Sequence, residues 1–307
     1  MLQAIRGKVR QWQRRLSLPI PAHGLVLDVG SGHNPHPRAD VLCDRFLIDD
    51  YERGGALIAD RPLVGGDLTC LPFRDQVFGY VICAHVLEHI DDVATALAEL
   101  ARVAPAGYVE CPSPMAEYLT GRESHYWLVA EEAGQLVFRR KPQPVLAPEL
   151  RDRIVGLLRA KDKAYLSFYW THEASWDVRC AWRGTIPHRI ERLSAAVIAF
   201  PKSELQPEGA SGRPPTPEEL LDSGPPGVRG RVRQLVHGAI RRRLASGQPV
   251  DLESLVQCPV CRGELVFARE AARMACTGCG GQYPLAGSAP MLLPEMRQRP
   301  ADGWRKA

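Results

Sequence analysis

No apolar run in this 307-residue chain comes near the roughly 20 residues that a membrane-spanning helix requires; the longest, around "VFGYVICAHVL" and "AAVIAF", stop well short. A transmembrane helix is therefore not expected. The basic N-terminus likewise lacks the continuous apolar core and small-residue cleavage site of a secretory signal, so cytoplasmic residence is the default expectation. Acidic residues are missing from two whole tracts: residues 1–27 hold five Lys/Arg and no acid, and residues 223–250 hold six Arg and no acid, against 28 Lys/Arg and 35 Asp/Glu elsewhere. An anionic partner would meet the chain there. A disulfide framework is also missing, since of nine cysteines only four stand at CxxC spacing, and Cys43, Cys70, Cys83, Cys111 and Cys180 are scattered singly. Reduced thiols with one metal site fit that distribution.

What is present divides the chain. Leu2, Ile5, Val9, Trp12 and Leu16 recur at helical spacing with a basic opposite face, predicting an amphipathic helix within residues 1–23 whose stripe packs on a neighbour. "GLVLDVGSG" reads as a buried strand entering a glycine turn, "DVLCD", "FGYVICA" and "GYVECP" as further strands, and Asp91 or Asp92 as the cap of a helix that Pro105 stops. Strands alternating with helical segments predict an α/β fold, a doubly wound, mostly parallel, Rossmann-like sheet. The domain runs over 24–200, with a looser insertion at 113–200 holding a hairpin near Gly134, a helix from Pro148 and an aromatic cluster from Tyr165 to Trp182. A Pro/Gly-rich linker is expected at 201–230, a second basic amphipathic helix at 231–250, and a small cysteine domain at 251–297.

In "VLDVGSGHNP" the turn after the first strand carries Asp28, Gly30, Ser31 and Gly32, where missing side chains let a ligand approach the backbone and its N–H groups. Pro35 replaces the third glycine of the dinucleotide fingerprint and "NPHP" discourages a helix, which disfavours a nicotinamide or flavin. Asp44 ends the second strand, where a carboxylate can accept ribose hydroxyls, and Asp67, next to Leu68, sits at the end of the third. "VLDVGSG" and "GDLTCLPFRDQVFGYVICAHVLEHI", in that order, resemble a class I S-adenosylmethionine-dependent methyltransferase of the quinone-biosynthesis and small-molecule type, over about residues 24–112. The resemblance implies S-adenosylmethionine as methyl donor, with Asp28, Gly30, Ser31 and Gly32 about its methionine part, Asp44 at the ribose, Asp67 and Leu68 at the adenine, and Ala84 lining the same site.

Cys258 and Cys261 in "CPVC" and Cys276 and Cys279 in "CTGC" form two knuckles at zinc-ribbon spacing, predicting one closed structural zinc site. The fuller pattern, "CPVCRGELVF…MACTGCGGQYPLAGSAPMLLPE", resembles the small zinc-ribbon activator subunit of tRNA, ribosomal RNA and translation-factor methyltransferases. That resemblance implies intramolecular docking of the ribbon on the methyltransferase domain, at an effective concentration set by the linker.

His85, Glu88 and His89 in "AHVLEHIDD" spell H-x-x-E-H, the signature of one class of zinc proteases. A strand ends directly before them and an aspartate cap follows, which leaves no long helix to present both histidines to one ion. The protease likeness is read as accidental; a zinc hydrolase would hold two zinc ions per chain and lose one on replacing His85 and His89. These histidines, with His125, are instead candidates to shape or deprotonate an unidentified methyl acceptor. The basic helices suit packing, nucleic acid or an anionic membrane surface at the inner face, and a small-molecule or glycan/lipid-linked acceptor is favoured over RNA or protein. The alternative is a non-catalytic, methyltransferase-like assembly or activator protein.

Overall fold

The structure, a computed structural model, describes residues 2–47, 55–141, 148–159, 162–191, 247–268 and 272–298, with Ala239 and Leu244. The linker expected at 201–230 lies outside the described residues, as does most of the basic helix expected at 231–250. Along the chain run α1 (Leu2–Leu16), β1 (Val26–Val29), β2 (Val41–Asp44), β3 (Leu63–Gly65), β4 (Tyr80–Ala84), α2 (Val93–Val103), β5 (Ala106–Pro112) and α3 (Pro114–Thr120). There follow β6 (Trp127–Glu132), β7 (Gln135–Arg140), α4 (Pro148–Arg159), α5 (Lys163–Thr171), β8 (Asp177–Arg183) and β9 (His188–Glu191). The C-terminal elements are α6 (Leu252–Leu255), β10 (Leu265–Ala268), β11 (Arg273–Cys276), β12 (Gln282–Ala286) and β13 (Ala289–Pro290). The chain divides into two units, Met1–Gly24 with Phe78–Arg192, and Leu25–Val77 with Leu193–Ala307.

In the second of these units β3, β2 and β1 lie side by side, all parallel. Every residue of the three strands is buried, which is why they read as unbroken apolar runs rather than alternating ones. Residues 30–40 make turns and no helix, as Pro35 and Pro37 dictate. The connection is instead tied by polar groups: Asp40 Oδ2 accepts from Val26 N at 2.9 Å and from Arg38 at 2.7 Å, while Arg61 donates to the carbonyls of His36 and Ala39 at 2.9 Å each. The C-terminal strands form their own antiparallel sheet, ordered β10, β11, β12, β13. This module holds the segment after β3 at both ends: Leu292 N donates to Gly65 O at 2.8 Å, Gln257 N to Pro72 O at 3.0 Å and Arg74 N to Leu255 O at 2.9 Å.

In the other unit β4 and β5 are parallel and β8 joins β5 antiparallel, so the strand pattern is mixed. Asp92 caps α2 through Thr95 N at 3.2 Å, and the buried Leu97 and Leu100 on that helix face the core. The hairpin β6–β7 turns at Gly134, and β9 extends it in parallel to β7. The helix begun at Pro148 stops at Arg159, and Asp162 caps the separate α5 by accepting from Tyr165 N at 2.8 Å. Among the described residues no helix is long and apolar enough to cross a membrane.

One expectation is corrected in α1. Its stripe does not pack as a whole, because Val9 is 47% and Trp12 51% exposed. The inward face is instead marked by the buried Gly7 and by Arg14, which lies near Glu110, Asp177 and Arg179. The absence of a side chain at Gly7 is what admits α5: a Cβ there would stand 1.8 Å from the backbone oxygen of Trp170. Alanine normally improves on glycine in a helix by roughly 1 kcal/mol. Gly7→Ala is expected to reverse that sign and cost roughly 1–3 kcal/mol of overpacking, read as a lower melting temperature; a raised one would show that α1 does not rest on α5.

Candidate active site

The turn between β1 and β2 is built from left-handed glycines, with φ of 68° at Gly30 and 49° at Gly32. Gly30 N donates to Cys43 O at 2.7 Å, and Gly32 N donates to Asp44 Oδ2 at 2.9 Å. The other oxygen of Asp44 accepts from Phe46 N at 2.9 Å, so this buried carboxylate, at the end of β2, pins the glycine turn. Asp28 is buried on β1 and accepts from His36 N at 2.6 Å. Ser31 Oγ is buried and has no hydrogen-bond partner, an open polar atom in the middle of the turn. Asp67 accepts from Thr69 N and Thr69 Oγ1 at 2.7 Å each and pairs with Arg45, whose guanidinium also meets Glu295 of the C-terminal module at 2.9 Å. Both Asp67 oxygens thus shape the loop in which Leu68 is buried.

In the other unit Ala84 ends β4 and His85 follows in the left-handed region, φ 58°, where its N–H donates to Glu110 O at 2.8 Å. Three carboxylates surround its ring. Nδ1 is 3.6 Å from Glu88 Oε1, and Nε2 is 3.3 Å from Glu110 Oε1 and 3.7 Å from Asp177 Oδ1. Arg179 holds the outer oxygens, reaching Glu110 Oε2 at 3.2 Å and Asp177 Oδ2 at 2.8 Å, and Tyr108 also bonds Glu110. Partial burial opposes charge on His85, yet Glu110 and Glu88 hold its imidazole well above the ordinary value. Burial likewise raises Glu110, but His85, Tyr108 and Arg179 outweigh it and bring the carboxyl to about 2, whereas burial and the neighbouring Glu110 raise Asp177. The facing carboxylates therefore divide into a firmly ionised one and one that holds its proton more readily.

A second buried polar chain begins at Glu88. A carboxylate oxygen of Glu88 and a ring nitrogen from each of His89 and His125 lie within 4.8 Å of one another. His125 Nδ1 bonds Glu117 on α3, and Lys141 Nζ reaches the other Glu117 oxygen at 2.8 Å. In the C-terminal module the sulfurs of Cys258, Cys261, Cys276 and Cys279 also fall within 4.8 Å of one another, with Cys258 3.7 Å from Cys279 and Cys261 3.4 Å from Cys276. Those separations exceed a disulfide and lie near the roughly 3.8 Å edge of a tetrahedron with metal–sulfur bonds of about 2.3 Å. A Cβ at Gly263 would come within 3.1 Å of Cys276 Sγ and 3.2 Å of Cys261 Sγ, so glycine is what lets the knuckles close.

Residues 49–111 match the methyltransferase domain family. Over 114 residues the chain is 32% identical to a demethylmenaquinone methyltransferase of Thermobifida fusca, covering 33% of this chain and 48% of that protein. It is 33% identical over 113 residues to a protein of the same name from Renibacterium salmoninarum, covering 33% and 46%. The chain thus spans about half the length of the curated relatives it matches. Among solved structures it is similar to the complex between the Haloferax volcanii Trm112 methyltransferase activator and a methyltransferase, at 16% identity and TM-score 0.34, covering 60% of this chain and 94% of that one. A TM-score at that level does not establish a common fold. The family match and the strand pattern together support a Rossmann-like methyltransferase domain.

Within that framework the donor-side residues expected from the sequence, Asp28, Gly30, Ser31, Gly32, Asp44, Asp67 and Leu68, cluster in one unit, while Ala84, His85, His89 and His125 belong to the other. H-x-x-E-H does not bring its two histidines together: Glu88 stands between His85, which faces Glu110 and Asp177, and His89, which faces His125. Sequence reading missed Glu110, Asp177, Glu117 and Lys141. An acid inside the apolar strand "GYVECP" was a usable signal for Glu110; the other three had none, because only the β5–β8 register and the α3 packing assemble them.

Proposed function

We propose that this chain is an S-adenosylmethionine-dependent methyltransferase acting on a small-molecule acceptor, with a structural zinc in the C-terminal module. The match of residues 49–111 to the methyltransferase domain carries the reading. The donor supplies a methyl already activated on a sulfonium, so the protein has mainly to hold, orient and exclude water. The turn fits that group: Gly30 and Gly32 leave it bare of side chains, the unpartnered Ser31 Oγ offers a hydrogen bond, and the Asp44 carboxylate at the end of β2 is the acceptor for ribose hydroxyls. Asp67, already engaged by Thr69 and Arg45, fixes the adenine loop, and Leu68 supplies its apolar contact.

His85 stands at the carboxyl end of β4, the strand end at which open α/β sheets take ligands. Surrounded by Glu88, Glu110 and Asp177, it is the group to orient an acceptor. The relatives' name, demethylmenaquinone methyltransferase, favours a small molecule over RNA or protein. Cys258, Cys261, Cys276 and Cys279 would hold the zinc in a closed shell, which suits a brace and leaves no position for chemistry.

Calorimetry against S-adenosylmethionine is expected to give a micromolar-range dissociation constant. Labelled donor is then expected to mark a small-molecule or lipid extract rather than RNA or protein. Absence of donor binding would replace this reading with that of a non-catalytic assembly protein, and label confined to RNA or protein would overturn the acceptor class.

A further inference from the structure

The network around Glu88 has a feature that neither methyl transfer nor the cysteine cluster uses. Glu88 is 1% exposed, and its Oε2 has no hydrogen-bond partner. A buried, unsatisfied carboxylate oxygen is costly enough to call for an occupant. Beside it stand the rings of His89 and His125, edge to face with centroids 4.4 Å apart, and one ligand-type atom from each of the three residues lies within 4.8 Å of the others. We propose that Glu88, His89 and His125 bind a first-row divalent metal ion of the zinc type, at a site separate from the four cysteines.

The surroundings are built for this. His125 gives its Nδ1 to Glu117, which leaves Nε2 for a metal; a carboxylate behind a ligating imidazole fixes its tautomer and ring orientation. Glu117 is itself held by Lys141, so the supporting carboxylate is locked in turn. The two ligand-bearing segments are already joined through the backbone: Tyr126 N donates to Glu88 O at 2.7 Å, and Trp127 Nε1 to Ile90 O at 2.7 Å. Metal–nitrogen and metal–oxygen bonds of about 2.1 Å place ligand atoms roughly 3–4 Å apart, so only side-chain adjustment is needed from the present spacing. Two imidazoles and one carboxylate select zinc or a neighbouring first-row ion over magnesium or calcium. With three protein ligands the shell stays open at one position, and the ion would tie the loop bearing His85 to α3.

Zinc content and X-ray absorption of the full chain, saturated with zinc and freed of loose metal, test the proposal. Two equivalents are expected, with a nitrogen/oxygen shell beside the sulfur shell. His125→Ala and Glu88→Gln are each expected to leave one equivalent, in a pure sulfur shell. Should a variant fail to fold, the wild-type absorption spectrum still decides. One equivalent with sulfur ligands alone at saturation, or two equivalents that survive His125→Ala in a folded protein, would overturn the site.

Discussion

Replacing Cys258 and Cys276 together with serine is expected to unfold the C-terminal module and to weaken S-adenosylmethionine binding by at least about tenfold, or about 1.4 kcal/mol. The module is too small to stand on its apolar core, which consists chiefly of Leu255, Val256, Leu265, Met274, Tyr283 and Met291 to Leu293. A structural zinc contributes on the order of 10 kcal/mol to such a unit. Its loss would reach the proposed donor side because Gly65, Pro72 and Arg74 would all lose backbone partners in the module, and Arg45 would lose Glu295. Those residues bracket Asp67 and Leu68. Limited proteolysis should show new cleavage within residues 251–298, and calorimetry should show the weaker donor. If cleavage appears while donor affinity stays within twofold of wild type, the module is a passenger and its bonds to the 65–74 segment do not support the adenine loop.

How much of this was open to sequence reading follows from the range of the interactions. β1, β2 and β4 were legible because strands buried on both faces appear as apolar runs, and the glycine turn because Gly30 and Gly32 must adopt positive φ. The cysteine cluster was legible because each knuckle is local. β8 was not separated from its aromatic surroundings, since its partner β5 lies far back in the chain and its burial alternates irregularly. The stripe on α1 misled at Val9 and Trp12, which are exposed, whereas a close approach to α5 is made at Gly7, whose contribution is to have no side chain. The strand before H-x-x-E-H and the cap after it were the legible sign that one ion would not take both histidines; what spacing did not give is that His85 faces Glu110 and Asp177 while His89 faces His125.

Asp44 is the position at which the proposed donor site and the fold would depend on one side chain, so Asp44→Ala is expected to lower donor affinity by about 100-fold and also to lower the melting temperature. The carboxylate accepts from Gly32 N in a buried bond and from Phe46 N in a part-buried one, and alanine removes both, at roughly 1–3 kcal/mol for the buried Gly32 N–H and less for the exposed Phe46. Ribose hydroxyls would lose the same carboxylate; hydrogen bonds to a charged group contribute roughly 1.5–3 kcal/mol each, enough for a loss of that size. Asp44→Asn separates the two effects. An amide keeps one oxygen to accept from Gly32 N, the more buried of the two donors, while its N–H₂ meets Phe46 N–H donor to donor, so only part of the stability should return. The ribose would then face a neutral group with fewer acceptor sites, and donor affinity should remain well below wild type. Full recovery of donor affinity in Asp44→Asn, or Asp44→Ala binding within twofold of wild type, would mean that Asp44 is only a strut for the glycine turn and that the ribose is held elsewhere.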